Sequence, residues 1–320
     1  MKKIISIFII SFLAANTYGQ EYLTINPNAR TSAMGDASVA VTGDAWSVFG
    51  NAAAPLFEYK NIQAQFSYTP WQSDVAGGYY LLSLGGYVKI SDRHALSVGG
   101  RMYQEPKLTE VSAGWDNYPF VPKDENNNPI HLKTTRPNGK ALDVAYGYKV
   151  CDKVGLSLTA RYGHYATGIG SNSNTIGFDL AVYSSLPLNI LDGAKINIGA
   201  KAANLGFSFG DIKSDLPISG KVGASLYAPF SDAHALEGTV DLGYMYQSES
   251  MKTFMANVGV EYTLMQLLAV RAGYGYNYYG YATVGLGLRF MHIQIDASYW
   301  VAAKSCPWRN TFRVGVGIDF

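Results

Sequence analysis

The sequence predicts an all-β protein: a transmembrane antiparallel β-barrel of about fourteen strands with a small N-terminal plug. Three observations carry that expectation. From Thr311 to Phe320 every even position is apolar and every odd one is polar, charged or glycine, the period-2 pattern of a strand with one apolar face. The same alternation recurs upstream with no helical segment to pack against it. The face opposite the apolar one carries Arg313, Gly315, Gly317 and Asp319 rather than a second set of large side chains, so the sheet is expected to close on itself in lipid with its apolar side outward.

Composition agrees. Of 320 residues 34 are glycine, which eases strand curvature, 24 are tyrosine, which suits interfacial girdles, and 15% are charged. A net charge of +1 gives no basic excess, so nucleic acid is not an expected partner.

Residues 1–19 read as a signal peptide. Met1-Lys2-Lys3 is a positive start, Ile4 to Ala15 an apolar run, and Thr17-Tyr18-Gly19 a cleavage site that leaves Gln20 first in the mature chain. No later apolar stretch reaches the roughly 18 residues of a membrane-spanning helix.

Residues 20–60 are not strand-like and are assigned to the plug. Small residues after Pro27 favour a short helix, and Asp44 is placed to cap a second turn at Ala45-Trp46-Ser47. The barrel is assigned to residues 61–320, with strands at 61–69, 77–91, 93–103, 138–150, 153–166, 173–186, 193–205, 217–228, 233–247, 251–263, 267–276, 281–290, 292–301 and 310–320. An even count suits a single-chain bacterial barrel. Alternate turns are short, at Ser91-Asp92, Cys151-Asp152, Pro229 to Asp232 and Met291, while the long 104–137 connection falls at the opposite, outer end. That separation puts Cys151 and Cys306 at opposite ends, too far apart for a disulfide.

With the apolar face outward, the inward set comprises Arg101, Asp143, Arg161, Asp179, Lys201, Glu237, Asp241, Glu261, Arg271, Arg289, Asp296, Arg313 and Asp319. Near balance of sign argues against an ion-selective pore. It fits an ion-pair lattice around the N-terminal segment, with a polar solute path as the alternative.

No chemistry-bearing motif emerges. The histidines, His94, His131, His164, His234 and His292, have no metal-ligand spacing, and there is no CxxC, so neither metal nor cofactor is expected. His164, Ser171 and Asp116 could share the outer rim, but such a trio arises by chance among common residue types, and no catalytic residue is assigned. Tyr274, Tyr276, Tyr278, Tyr279 and Tyr281 suit an interfacial girdle or, alternatively, a carbohydrate or peptide contact. The long outer connection, with Trp115, Asp116, Tyr118 and Phe120, is a candidate partner surface; simple disorder is the other reading.

The run Ala29-Arg30-Thr31-Ser32-Ala33-Met34-Gly35-Asp36-Ala37, followed by Asp44-Ala45 and Asn51, resembles the amino-terminal signature of the PorV/PorQ family. Gly199 to Gly206, with Asn204-Leu205-Gly206, is similar to its recurring mid-barrel segment. The resemblance implies an outer-membrane barrel of Bacteroidota, similar in architecture to the fatty-acid transporter FadL. It also implies a plug carrying Ala29, Arg30, Ala33, Met34, Gly35, Ala37, Asp44, Ala45 and Asn51, and a non-enzymatic role in binding secretion cargo or other envelope proteins during type IX secretion or surface attachment. The rival expectation is a FadL-like transporter of a hydrophobic small molecule, with an apolar pocket built by Met34, Trp46, Phe49 and Leu56.

Overall fold

The structure, a computed structural model, describes residues 20–72, 78–110, 133–168, 170–189 and 191–320. The expected signal segment and Trp115, Asp116, Tyr118 and Phe120 lie outside the described residues.

Sixteen strands are described: β1 (Ile62–Pro70), β2 (Tyr80–Ser91), β3 (His94–Gln104), β4 (Leu108–Glu110), β5 (Lys133–Thr135), β6 (Asn138–Cys151), β7 (Val154–Ala166) and β8 (Asn172–Pro187), then β9 (Lys195–Gly210), β10 (Ile218–Ser231), β11 (His234–Ser248), β12 (Met251–Leu264), β13 (Leu268–Asn277), β14 (Tyr279–Phe290), β15 (Ile293–Ala302) and β16 (Phe312–Asp319). Fourteen form one closed antiparallel barrel, each paired with its chain neighbour across β3–β6, and β16 pairs with β1 from Gln63↔Asp319 to Tyr68↔Val314. Closure leaves no free sheet edge around most of the wall. The short β4–β5 ladder, absent from the sequence expectation, stands at the base of the long outer connection.

The period-2 pattern resolves as expected. In β16 Phe312, Val314, Val316 and Ile318 are exposed outward, while Arg313 and Asp319 are buried inside. Leu84, Val144, Leu180, Leu242 and Val284 continue the exposed apolar band around the barrel. Such a band is unfavourable in water and favourable against acyl chains. Two-residue turns between β2 and β3, β6 and β7, and β10 and β11 sit at the end where β16 finishes. The longest connection, between β3 and β6, lies opposite, although β8 and β9 are joined by residues 188–194 at the short-turn end and β11 and β12 by residues 249–250 at the other. Cys151 and Cys306 are both free.

Within residues 20–60, α1 (Ala29–Ala33) is a short helix whose Asn28 side chain accepts from the Arg30 and Thr31 amides. That cap satisfies two of the orphan donors at the helix start. Asp44 caps the next turn, accepting the Trp46 amide at 2.9 Å. A 3-10 turn at Ala54–Phe57 then leads into β1.

The largest departure from the expected bounds is at the end of β9. β9 was expected to stop near residue 205, where apolar and polar positions change places, but it runs to Gly210. The β8–β9 register shifts between Phe178 and Leu180, with Ala203 and Asn204 both buried and Asn204 at φ +61°. This extra residue is a β-bulge, which reverses the alternation beyond it, so Phe207 and Phe209 again face outward.

Candidate functional site

The N-terminal segment lies among the inward side chains and descends from the outer mouth to the opposite end. Near the mouth Gln20 donates to Ser173 Oγ at 3.3 Å, and Tyr22 donates to the Lys140 carbonyl at 2.8 Å. Tyr22, Leu23 and Ile25 pack with Leu81, Tyr103, Ala141 and Leu216. Near the other end Asn51 donates to the carbonyls of Val39 and Val182 at 3.0 and 2.8 Å. Lys195 lies 3.8 Å from Glu58.

Arg30 is the electrostatic centre. Its Nη2 is 2.6 Å from Glu237 and its Nε 2.9 Å from Glu261, while Nη1 donates to the Thr42 carbonyl at 3.0 Å. Asp44 is 3.7 Å away. Glu261 also meets Arg271 at 2.5 Å, and Arg271 meets Asp296 at 2.6 Å, so the chain of charges runs from segment to wall across β11 to β15. All these groups are buried. Charges taken from water are tolerated only when paired and hydrogen-bonded, as here.

A second network lies across β6 to β9. Arg161 contacts Asp143 at 2.5 Å and Asp179 at 3.2 Å, and Lys201 contacts Asp179 at 2.9 Å. Lys201 also donates to the Phe49 carbonyl at 2.7 Å, attaching the segment. Asp241 accepts the amides of Ser38 and Val39 at 2.6 and 3.0 Å. Arg313 reaches the Asn26 carbonyl at 2.8 Å and Ser32 at 2.6 Å, its guanidinium 4.3 Å from the Trp300 ring.

Glycines of the wall admit the segment's backbone. A Cβ on Gly259 or Gly273 would fall 2.4 Å from Met34, and one on Gly285 would fall 2.4 Å from Ala33. Gly35 itself has φ +69°, and a side chain there would strike the Tyr274 carbonyl. Its amide donates to Thr283 at 3.0 Å. Sequence reasoning read the wall glycines as curvature devices; their inward, odd-numbered placement on β12 to β14 was the signal of a docking groove.

The motif residues are thus brought to one surface. Ala29, Arg30, Ala33, Met34, Ala37, Asp44, Ala45 and Asn51 are all buried between segment and wall. Ser32, within the motif run, also holds the contact, as do Asn26, Thr42 and Thr283, which were not singled out, being common polar types without distinctive spacing. Of the four residues expected to build an apolar pocket, Met34, Trp46, Phe49 and Leu56, only Trp46 and Phe49 line a cavity. Met34 sits on Gly259 and Leu56 on Gly147 and Gly155, whereas Trp46, on Gly85, and Phe49, on Gly99, stack at 6.1 Å and line a common cavity, so the four do not share one pocket. The tyrosine cluster also divides: Tyr274 and Tyr276 face outward, whereas Tyr281 is buried, stacked on Trp300 at 4.2 Å and donating to Asp36 at 3.1 Å.

A cavity of about 140 Å³ remains, lined in part by Leu23, Phe49, Arg101, Lys201, Met245 and Asn257. Arg101 donates to the Leu23 carbonyl and lies 4.1 Å from the Phe49 ring, with its Nε unpartnered among the described residues. At the mouth, burial and then the neighbouring Glu105 push the Glu21 carboxyl up to about 8. Burial also raises Glu105, against the opposing hydrogen bond from Tyr165 at 2.7 Å.

The family model described as "Type IX secretion system protein PorV" matches residues 14–193. No curated protein sequence matches the chain. Among solved structures it is similar to the toluene transporter TodX of P. putida, with a TM-score of 0.59 and 12% identity over 91% of this chain and 97% of that one. The toluene transporter TbuX of Ralstonia pickettii gives 0.57 and 14% over 92% and 97%. A FadL homologue of Pseudomonas aeruginosa gives 0.53 and 12% over 92% and 99%. At such identity these likenesses establish the barrel fold.

Proposed function

The chain belongs to the PorV family of type IX secretion system proteins, and from that premise we propose that it is a non-enzymatic, protein-binding component of the outer membrane, acting on secretion cargo or on other envelope proteins in secretion or surface attachment. The N-terminal segment serves as a plug, with Ala29, Arg30, Ala33, Met34, Gly35, Ala37, Asp44, Ala45 and Asn51 as its seat. The supporting observation is the buried charge network from Arg30 through Glu261 and Arg271 to Asp296, which ties the segment to the inner wall at β12 to β15. A solute path would have to break those contacts. Partner contact then belongs to the outer connections, with Trp115, Asp116, Tyr118 and Phe120 as the proposed anchors.

The test is purification of the tagged protein from its own outer membrane in mild detergent, paired with deletion of its gene. Translocon or attachment components are expected to accompany it, and deletion is expected to impair surface-cargo display. Unchanged secretion and attachment would overturn the proposal.

A second reading, transport of a hydrophobic small molecule, is favoured by the β9 bulge and by the apolar share of the cavity wall, Leu23, Ile25, Met245 and Met255. The solved toluene transporters share this barrel architecture. Saturable binding of toluene by the purified protein would support it.

A further inference from the structure

The bulge does more than turn side chains over: it marks where β9 and β10 part. Their ladder ends at Ala203↔Ser219, and Ile218, the first residue of β10, pairs with Tyr246 of β11. Beyond that point residues 205–210 pair with β8 from Phe178↔Leu205 to Ser173↔Gly210, and among the described residues no strand takes the other side. In an antiparallel strand every second residue points its N–H and C=O away from a given neighbour. A length of roughly 20 Å therefore presents unpaired main-chain groups.

This separation is held in place by the fold. Asn204 donates its amide to Asp179 at 2.8 Å and its side-chain amide to the Pro217 carbonyl at 2.8 Å. The returning segment, residues 211–217, does not continue the ladder: the Asp211 and Ile212 amides donate to the Asn172 carbonyl at 3.0 and 3.1 Å, and only Leu216 and Pro217 are buried. Ser208 Oγ donates to the Ser214 carbonyl at 2.6 Å, and Leu216 is buried with Tyr22 and Leu23. The open edge stands level with the outer aromatic ring, since Phe207 is opposite Ile176 and Ile176 opposite Tyr162.

Natural sheet edges are guarded by charge, proline or cover. Leu205-Gly206-Phe207-Ser208-Phe209-Gly210 has no charge and no proline, and both phenylalanines are exposed outward. Acyl chains cannot satisfy its amides and carbonyls. A main chain can.

We propose that the β9 edge at residues 205–210 is a docking site for an extended β-strand of another protein, added antiparallel by main-chain hydrogen bonds with apolar side chains against Phe207 and Phe209. A second copy of this chain does not fit. Copies inserted the same way up would present β9 running in the same direction, and strands tilted about 35–45° in each barrel would cross at roughly twice that angle. The partner strand runs inward from the cell exterior. This site deepens the protein-binding reading above and rests on it.

The test uses the full-length protein in lipid nanodiscs with the photoreactive residue p-benzoylphenylalanine in place of Phe207, and a control with it in place of Tyr274, which is outward-facing and paired on both sides. The probe is a synthetic peptide of alternating valine and threonine, compared with the same peptide N-methylated along its backbone. Labelling is expected to be about tenfold stronger at 207 than at 274, with slowed amide exchange across 205–210, and the N-methylated peptide is expected to do neither. Equal labelling at the two positions, equal behaviour of the two peptides, adducts with lipid alone, or cross-links to a second copy would each overturn the site. Co-purification of envelope partners without edge labelling would remove this site and leave the broader reading standing.

Discussion

From β12 to β15 the ladders run without a register shift, and the N-terminal segment rests directly on the wall, Met34 on Gly259 and Gly273, Ala33 on Gly285, Arg30 clamped by Glu261. Between β8 and β10 the register shifts at Phe178/Leu180, the strands separate above Ala203, and Leu216 is buried against Tyr22 and Leu23. Both arcs bury paired charge, yet they differ in what the main chain does. Where small residues let the segment's backbone approach, an unbroken sheet serves as a seat. Where a bulge spends one residue out of register, the wall gives up pairing and gains an edge.

The largest effect is expected from Arg30→Met, which leaves Glu237 without its cation and strips one from Glu261. Removing one partner of a buried network costs about 3–5 kcal/mol, read as a loss of unfolding free energy in detergent or lipid. A loss below that of any β9 variant would break the contrast between the arcs. Gly35→Ala comes next, at about 2–4 kcal/mol, because it combines a left-handed residue with overpacking against the Tyr274 carbonyl. Its conservative test is Ala33→Gly, expected to cost well under that, since it removes a methyl without inserting one.

Asn204→Ala should cost roughly 1–3 kcal/mol through the buried acceptors and donors it leaves unpaired. Its signature is faster amide exchange confined to β9 and β10. Exchange that spreads to β12–β14 would show that the two arcs are coupled.

The smallest effect is a pH dependence at the outer mouth. The folded protein holds the Glu21 proton more tightly than the unfolded chain does, so attachment of residues 20–25 is fully present below the ordinary carboxylate value of 4.5 and weakens as pH rises to about 8. Proteolysis at the mouth is expected to accelerate from pH 6 to pH 9, and Glu21→Gln to weaken that dependence, leaving the share of the neighbouring Glu105, which burial also raises.

Much of the wall was legible in the sequence because lipid enforces a strict alternation and short turns mark one end. Legibility failed where that alternation was interrupted. At Ala203-Asn204 an extra residue inverted the pattern, so the last turn and a half of β9's pleat read as loop. Segment contacts were legible only as a motif: the Arg30 partners Glu237 and Glu261 lie more than two hundred positions away, and nothing in their spacing announces a clamp. Met34 and Leu56 misled because large apolar residues in a plug suggest a pocket, whereas inward glycines receive each of them in close packing; Trp46 and Phe49 stack and line a cavity.

Single-channel recording of the intact purified protein in planar bilayers tests the central claim, that the N-terminal segment and its ion pairs fill the lumen. Silence or brief, small openings are expected from the wild-type protein, with stable current appearing in Arg30→Met. Large, long-lived channels from the wild type would contradict the account.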